Sequence, residues 1–265
     1  MSCNHNCSSC ENKSNIFQNR HVDVKHVIAV MSGKGGVGKS TITSMLAVTL
    51  TRQGYKCAIL DADITGPSIN KIFGITNKAS GINDLINPNL SDFGIQIISM
   101  NSFLEQDTDP ILWRGPIVNN VIKQFWNEVN WKDVDYMFID MPPGTGEVSL
   151  TVLQSLPVDG VIIVTTPQDL VSMIVEKSIN MVQQMNKKIL GIVENMAYFV
   201  CDNCGKKHQI FGNDLTKDYV NKFNINNFVK LPINSNFADT CDAGGIERLG
   251  LKEIENFAKE VIESI

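Results

Sequence analysis

Two cysteines three positions apart are the first residues in this chain whose spacing suggests chemistry. Cys201 and Cys204 lie in a stretch, 197–211, that we predict to be an irregular loop between a strand and a helix. Thiolates at this spacing on a turn can face one metal, but one pair supplies only half the ligands that a tetrahedral zinc or an iron–sulfur cluster needs. A two-fold axis would bring two identical pairs together, so the spacing favours a metal group shared by two chains.

Other interpretations of this pair stay open. His208 follows Cys204 by four positions, and a further ligand such as Cys241 would complete a zinc site within one chain. A dithiol–disulfide redox pair and a purely structural pair are further alternatives.

Three more cysteines, Cys3, Cys7 and Cys10, form a second candidate metal site near the N-terminus. Their spacing is that of radical enzymes that use S-adenosylmethionine, and His5 is a possible fourth ligand. Here the cysteines lie in a polar segment ahead of a nucleotide-binding pattern. A thiol-rich tail that scavenges metal is the competing interpretation.

A glycine-rich segment from Gly33 to Ser40 fits the phosphate-loop pattern, with an apolar strand before it and a helix after it. Glycines let backbone N–H groups turn inward around phosphate oxygens, and the helix N-terminus adds a favourable dipole. Lys39 would reach the terminal phosphates, and the Ser40 hydroxyl would ligate Mg²⁺. The segment therefore predicts ATP binding. The predicted nucleotide-binding residues in it are Gly33, Lys34, Gly35, Gly36, Val37, Gly38, Lys39, Ser40 and Thr41.

Lys34 is a second lysine inside this loop, at a position that varies freely in ordinary phosphate loops. Its charge could neutralise phosphate in its own site or in the site of a facing subunit. A solvated surface charge is the plainer alternative.

Acidic residues follow two of the predicted strands, where ligand sites of α/β proteins form. Asp61 and Asp63 end the second strand, and Asp140 ends a later one. Nucleotide hydrolysis needs one carboxylate to position water and others to hold hydrated Mg²⁺. We predict Asp63 for the water and Asp61 and Asp140 for the magnesium shell, with helix capping as the alternative for each.

Short apolar runs alternate with helical periodicity along the chain, which predicts a mainly parallel central sheet with helices on both faces, in a phosphate-loop NTPase fold. The predicted strands are 26–31, 57–60, 95–100, 136–139, 160–165, 189–193 and 228–231. The predicted helices begin at Lys39 and cover 117–128, 148–155, 170–186, 213–223 and 251–264.

Length and composition favour one large α/β domain, 26–265, preceded by a flexible arm, 1–25. The chain has 265 residues, of which 43% are hydrophobic and 19% charged, so a sizeable core is expected. A net charge of -5 argues against sequence-independent nucleic-acid binding. The absence of a signal-peptide pattern or an apolar run of roughly 20 residues predicts a cytoplasmic protein without membrane contact.

Several motifs together resemble the Mrp family of iron–sulfur cluster carrier ATPases, within the deviant phosphate-loop class of MinD, ParA and nitrogenase reductase. They are the lysine-bearing loop 34–40, the stretches 61–68, 113–116 and 140–146, and the Cys201–Gly205 segment. The resemblance covers the chain from about residue 26 to the C-terminus.

The resemblance implies a homodimer that carries a 4Fe–4S cluster and uses ATP and Mg²⁺. Lys34 matches the signature lysine that acts across the dimer interface, and Asn195 matches the position that reads adenine. Cys201 and Cys204 match the pair that holds a bridging cluster with the same pair of a second subunit. Such carriers receive a cluster from an assembly scaffold and pass it to recipient apo-proteins. Some relatives carry four N-terminal cysteines, whereas this arm has three at a different spacing.

Two rival functions share the same loop. A positioning ATPase of the MinD/ParA type needs a basic amphipathic tail or a basic DNA-binding surface, whereas the predicted C-terminal helix is acidic on its polar face and is expected to pack on the sheet. An electron-transfer reductase like the nitrogenase iron protein also bridges a cluster, but its cysteines are separated along the chain.

Overall fold

Strands and helices alternate along the chain around one large sheet, as the apolar pattern predicts. The computed structural model describes residues 22–64, 66–82, 85–104, 115–167, 169–211 and 220–265. Its helices are α1 (Lys39–Arg52), α2 (Ile69–Ile72), α3 (Gly115–Asn127), α4 (Glu147–Ser155), α5 (Asp169–Gln184), α6 (Ser235–Asp242) and α7 (Lys252–Glu263). Its strands are β1 (Val22–Ser32), β2 (Cys57–Asp61), β3 (Ser80–Ile82), β4 (Leu85–Asn87), β5 (Asn89–Leu90), β6 (Gln96–Ile98), β7 (Trp131–Asp140), β8 (Gly160–Thr165), β9 (Lys188–Val200), β10 (Lys207–His208) and β11 (Phe228–Pro232).

The large sheet has the order β10-β9-β8-β1-β7-β2-β6-β5, with β11 also paired to β9. Strands β11, β9, β8, β1, β7, β2 and β6 pair in parallel, whereas β10 and β5 run antiparallel to their neighbours. Strands β3 and β4 form a separate two-stranded sheet. The predicted mainly parallel central sheet is confirmed.

The central strand β1 shows why the sheet has helices on both faces. Val27, Ala29 and Met31 belong to one apolar cluster with residues of α3, α4 and α5. Ile28 and Val30 belong to the other, with residues of α1, α6 and α7. Because successive side chains of a strand point to opposite faces, an all-apolar strand buries both of its faces.

Parallel pairing also brings the predicted acidic residues together. Asp61 and Asp140 are direct partners at the ends of β2 and β7, and Val30 on β1 also pairs with Asp140. The phosphate loop follows β1 directly, so it emerges at the same edge as both carboxylates. The residues predicted to bind the nucleotide and Mg²⁺ therefore lie at one edge of the sheet.

Several predicted boundaries are corrected. Strand β1 begins at Val22, within the segment predicted as an arm, because Val22 and Val24 pack on the core and alternate with polar residues. Strand β6 ends at Ile98, and residues Met100–Ser102 form a 3₁₀ turn. Helices α2 and α6 and the short strands β3, β4, β5 and β10 were not predicted, because elements of two to eight residues carry little periodicity.

The segment 197–211, predicted as irregular, is partly a β-hairpin. Strand β9 runs on to Val200, and β10 pairs back with it, Lys207 opposite Val200 and His208 opposite Phe199. The irregular part is therefore the tip, where the two cysteines lie. Tertiary pairing with β11 and β8 supports the long strand β9, which the local sequence alone does not indicate.

The C-terminal helix packs on the rest of the fold, as predicted. Helix α7 buries Ile254, Phe257, Ala258 and Val261, whereas Ile265 lies beyond the helix and is exposed. The predicted helix 213–223 falls largely outside the described residues, as do Cys3, His5, Cys7, Cys10, Trp113 and Arg114.

Candidate functional site

The phosphate loop forms one wall of a cleft of about 450 Å³. The loop turns through two left-handed glycines, Gly36 with φ 78° and Gly38 with φ 83°, a conformation that favours glycine. Helix α1 begins at Lys39, so its N-terminal N–H groups point toward the cleft. The cleft is lined by predicted site residues from Lys34 to Thr41 and by Asp63.

Lys39 and Asp140 are joined beneath this loop. The Lys39 Nζ lies 2.7 Å from Asp140 Oδ1, and both side chains are almost completely buried. Asp140 also accepts hydrogen bonds from the Ser40 hydroxyl at 2.6 Å and from the Thr43 hydroxyl at 2.8 Å. The structure thus brings together the predicted magnesium residues Ser40 and Asp140. Thr43, one helical turn beyond Lys39, was missed because its hydroxyl carries no distinctive pattern.

Asp61 lies behind this group and is fully buried. Its carboxylate accepts hydrogen bonds from the Ser99 hydroxyl at 3.0 Å and from the Asp63 N–H at 3.1 Å. Burial, together with the nearby charge of Asp140, raises the pKa of the Asp61 carboxyl to about 8, although the charge of Lys39 opposes the rise. Without a cation at this edge, Asp61 therefore keeps its proton at neutral pH.

Asp63, which follows β2, and Lys34, which lies in the phosphate loop after β1, both line the cleft. Asp63 follows β2, and its carbonyl accepts a hydrogen bond from the Gly66 N–H at 3.2 Å in a tight turn. Lys34 is partly exposed in the phosphate loop, where its carbonyl accepts the Ser32 hydroxyl at 3.0 Å. Both side chains line the same cleft. This position is compatible with contact to the terminal phosphates of a nucleotide.

Asn195 emerges from β9 at the same edge of the sheet and contacts the phosphate loop. Its Nδ2 donates to the Val37 carbonyl at 2.9 Å. A Cβ placed on Gly38 would lie only 2.4 Å from that Nδ2, so the loop fits closely against Asn195. A smaller pocket of about 180 Å³ opens beside Asn195, lined partly by Pro232 and Phe237. Largely apolar walls with the amides of Asn195 and Asn234 are suited to a planar base.

Helix α6 supplies a wall of the cleft that sequence reasoning missed. Ala238 and Cys241 line both the cleft and the smaller pocket, and Asp242 pairs with Lys71 of α2 at 2.7 Å. Cys241, named above only as a possible zinc ligand, is buried there, and burial raises the pKa of its thiol. The helix spans only eight residues, so periodicity was too short to identify it.

The two cysteines of the pair lie at the tip of the β9–β10 hairpin. Gly205, with φ 69°, donates its N–H to the Cys201 carbonyl at 2.8 Å, and Cys201 donates its own N–H to the Lys206 carbonyl at 3.0 Å. Cys204 is exposed and Cys201 partly so. Hydrogen bonds from the backbone N–H groups of Cys204 and Asn203 lower the pKa of the Cys201 thiol. A thiolate held at an accessible tip is suited to metal binding.

The zinc alternative within one chain gains no support from this geometry. Among the residues that the structure describes, no three His, Cys, Asp or Glu side chains are grouped to hold a metal ion. Cys241 lines the nucleotide cleft, whereas His208 belongs to the hairpin. Each chain thus presents Cys201 and Cys204 as a pair.

The apolar face of the C-terminal helix is covered within the fold. The apolar face of α7 packs against α1 and β11. Among the helices that the structure describes, none combines the length and hydropathy that crossing a bilayer requires.

Comparison with known families matches residues 23–265 to the ParA group described as NUBPL iron-transfer P-loop NTPase. The chain belongs to this family. The resemblance to iron–sulfur carrier ATPases, drawn from the sequence motifs, is confirmed.

Curated relatives of this iron-transfer NTPase agree with the assignment. An iron-sulfur cluster carrier protein of Clostridium perfringens is 40% identical over 265 residues, covering 91% of this chain and 93% of the relative. A protein of the same name from Methanocaldococcus jannaschii is 36% identical, covering 99% and 97%. The similarity extends over nearly the whole of both relatives.

Solved structures show the same fold. A nucleotide-binding protein from Archaeoglobus fulgidus, in complex with ADP, is 40% identical and has a TM-score of 0.80, covering 88% of this chain and 92% of the other. The cell division ATPase MinD of Pyrococcus furiosus has a TM-score of 0.68 at 18% identity, covering 91% and 99%. The second likeness concerns the fold alone.

Proposed function

We propose that this chain is an ATP-dependent carrier of a 4Fe–4S cluster, which it binds at a dimer-bridging pair of CxxC motifs and transfers to apo-proteins. The observation that carries the proposal is the position of Cys201 and Cys204. They form an accessible thiol pair at a hairpin tip, in a family of iron-transfer NTPases. The relatives named as iron-sulfur cluster carriers support the same cargo.

A homodimer supplies the ligands that one chain lacks. Each chain contributes the thiolates of Cys201 and Cys204, and two chains related by a two-fold axis provide the four that a cluster takes. The backbone N–H groups that stabilise the Cys201 thiolate would also hydrogen-bond to cluster-bound sulfur. Lys34 would reach across the interface to the phosphates of the partner's nucleotide.

Within the cleft, each predicted residue has a task in nucleotide hydrolysis. Lys39 and Lys34 would balance the phosphate charge, and Asp63 would orient the attacking water. Ser40, Asp61 and Asp140 would hold the hydrated Mg²⁺, which supplies charge stabilisation at the terminal phosphates. Asn195 would read adenine from the smaller pocket. Hydrolysis would be slow and coupled to cluster transfer.

The partners of such a carrier are proteins. An assembly scaffold would donate the cluster, and recipient apo-proteins would accept it, in the cytoplasm. The chain's net charge of -5 gives no general attraction to nucleic acid or anionic membrane.

Anaerobic reconstitution with iron and sulfide tests the cargo. The wild-type dimer should gain visible absorbance and about two irons per chain, as one 4Fe–4S cluster shared by two chains requires. Cys201→Ala and Cys204→Ala should each remove the absorbance, whereas a control with Cys3, Cys7 and Cys10 all changed to Ser should keep the bridging cluster. Unchanged iron content in both single variants would refute the bridging site. Zinc without iron after anaerobic purification would favour the zinc-binding alternative.

A further inference from the structure

A groove runs beside the cysteine hairpin, on the side of β10 and β11. It has a volume of about 700 Å³ and is lined by Tyr198, Lys207, Gln209, Phe228, Val229, Lys230 and Glu253. Tyr198 precedes Cys201 by three residues on β9, and Lys207 follows Cys204 by three residues. At the rise of a strand, this places the groove roughly 10 Å from the thiols.

The hairpin has two different faces. Cross-strand pairing places Phe199 with His208 on one face, and Val200 with Lys207 on the other. Tyr198 shares the second face because side chains alternate along a strand. The first face carries the exposed Phe199, whereas Tyr198 and Lys207 on the second face line the groove.

Two lysines, Lys207 and Lys230, line the groove, and their surroundings differ. The Lys207 Nζ lies 4.4 Å from the centre of the Tyr198 ring, and within the described part of the chain it forms no ion pair. Lys230, by contrast, lies 3.4 Å from the buried Glu194 Oε2, and Glu253 contributes a carboxylate to the wall. Lys207 is therefore the lysine best placed to receive an incoming carboxylate.

The local charge differs in sign from that of the whole chain. The net charge is -5, but the hairpin stretch 198–211 contains Lys206 and Lys207 against Asp202 alone. Exposed charges act over about 10 Å at ordinary salt concentrations, so a partner at the groove responds to the hairpin more than to the whole chain. A ligand with carboxylates thus complements this surface.

The groove walls also favour an extended ligand. Among the described strands, β10 and β11 pair only with β9, so the outer edge of each offers backbone groups to another chain. Aromatic surface from Tyr198 and Phe228 can pack against apolar side chains that alternate with the carboxylates.

We infer that this groove docks an extended, carboxylate-rich segment of the apo-protein that receives the cluster. The inference rests on the proposed carrier function and specifies the class of its recipient. Docking in this groove would bring the recipient's cysteines next to Cys201 and Cys204. The acidic segment would thereby raise the local concentration of the acceptor thiols at the cluster.

A peptide-binding experiment tests the groove directly. The probe is a fluorescein-labelled peptide of alternating glutamate and leucine, and the same peptide with lysine for glutamate is the sign control. Fluorescence anisotropy with the reconstituted dimer should show binding of the acidic peptide only. Lys207→Glu should weaken that binding about tenfold, because it removes one charge-assisted contact. The matched control Lys206→Glu should weaken the binding less than about threefold.

A transfer assay connects the groove to function, with the cluster-loaded dimer as donor and an acidic apo-ferredoxin as acceptor. Lys207→Glu should slow transfer at low acceptor concentration, leave the saturating rate unchanged, and preserve cluster content and ATP turnover. The glutamate–leucine peptide should compete with the acceptor. Equal effects of both lysine substitutions, or a peptide that neither binds nor competes, would overturn the inference while the carrier function stands. If the chain takes up no cluster, the proposed carrier function is refuted. The anisotropy measurement would still show whether the groove binds an acidic peptide.

Discussion

Lys39 Nζ lies 2.7 Å from Asp140 Oδ1, in a buried ion pair that connects the phosphate loop to the end of β7. The pair aligns the lysine that would contact phosphate with the carboxylate that would hold magnesium. Asp140 is further hydrogen-bonded to Ser40 and Thr43, so α1 and β7 are joined at three points. Changes at this pair should therefore affect both catalysis and folding.

Lys39→Ala should abolish nucleotide turnover and destabilise the fold. Loss of the phosphate contact should lower the ATPase rate by at least about 100-fold. It also leaves the buried Asp140 charge unpaired, which should lower the free energy of unfolding by about 3 kcal/mol. Phosphate release and urea denaturation measure the two effects. Lys56→Ala, which removes an exposed ion pair with Asp133, is the control and should change neither appreciably. Unaltered hydrolysis in Lys39→Ala would contradict the assignment of the site.

Asp61→Asn should change how stability depends on pH in the absence of metal and nucleotide. The pKa of Asp61 is about 8 in the folded chain and near its ordinary value of 3.8 in the unfolded chain. Between these two values, the unfolded chain has released a proton that the folded chain keeps. The free energy of unfolding of the wild type should therefore fall as pH rises through this window and level off above it.

Urea denaturation in EDTA across this window measures the effect, and the asparagine variant should lack that slope. Asp135→Asn is a useful control, because the hydrogen bond from Lys25 lowers the pKa of Asp135. The contribution of Asp135 to stability is fully present above the ordinary pKa of an aspartate. It is lost as the pH falls from there through the lowered pKa of Asp135 in the folded chain. Parallel curves for wild type and Asp61→Asn would show that Asp61 is charged in the folded chain.

Cys201 should react with iodoacetamide faster than Cys204 in the cluster-free protein. Backbone N–H groups of Cys204 and Asn203 lower the pKa of the Cys201 thiol, so more of it is thiolate at neutral pH. The variants Cys204→Ser and Cys201→Ser isolate one thiol each, and both keep those backbone N–H groups. Mass spectrometry at several pH values should give Cys201 an apparent pKa below the ordinary value for a cysteine. An apparent pKa at the ordinary value would mean that the hairpin does not stabilise the Cys201 thiolate.

Gly38→Ala should destabilise the nucleotide-free protein more than Gly36→Ala. Both glycines have positive φ, so each substitution costs roughly 1 kcal/mol of backbone strain. A Cβ at Gly38 would also lie 2.4 Å from Asn195 Nδ2, whereas at Gly36 no atom lies within 4 Å. The excess loss in Gly38→Ala therefore reports the contact between Asn195 and the loop. Thermal unfolding of the two variants without ligand measures it, and equal losses would argue against that contact.

The sequence by itself determined the features that depend on residues close together in the chain: the phosphate loop, the thiol pair and the apolar strands. The spacing of glycines, lysine and serine in 33–40 specifies a phosphate loop, because consecutive N–H groups build the cradle. The spacing of Cys201 and Cys204 specifies a thiol pair for the same local reason. The apolar runs, each buried on two faces, were sufficient to predict a parallel sheet.

Only the tertiary structure decided which distant residues meet. The register of β2 against β7 places Asp61 beside Asp140, and burial together with the Asp140 charge raises the pKa of Asp61, an effect that no local pattern encodes. Helix α6 and strand β10 are too short to show periodicity, and packing against the rest of the fold holds them in place. Their positions create the wall at Cys241 and the groove at Lys207, because long-range contacts stabilise elements that the local sequence leaves undetermined.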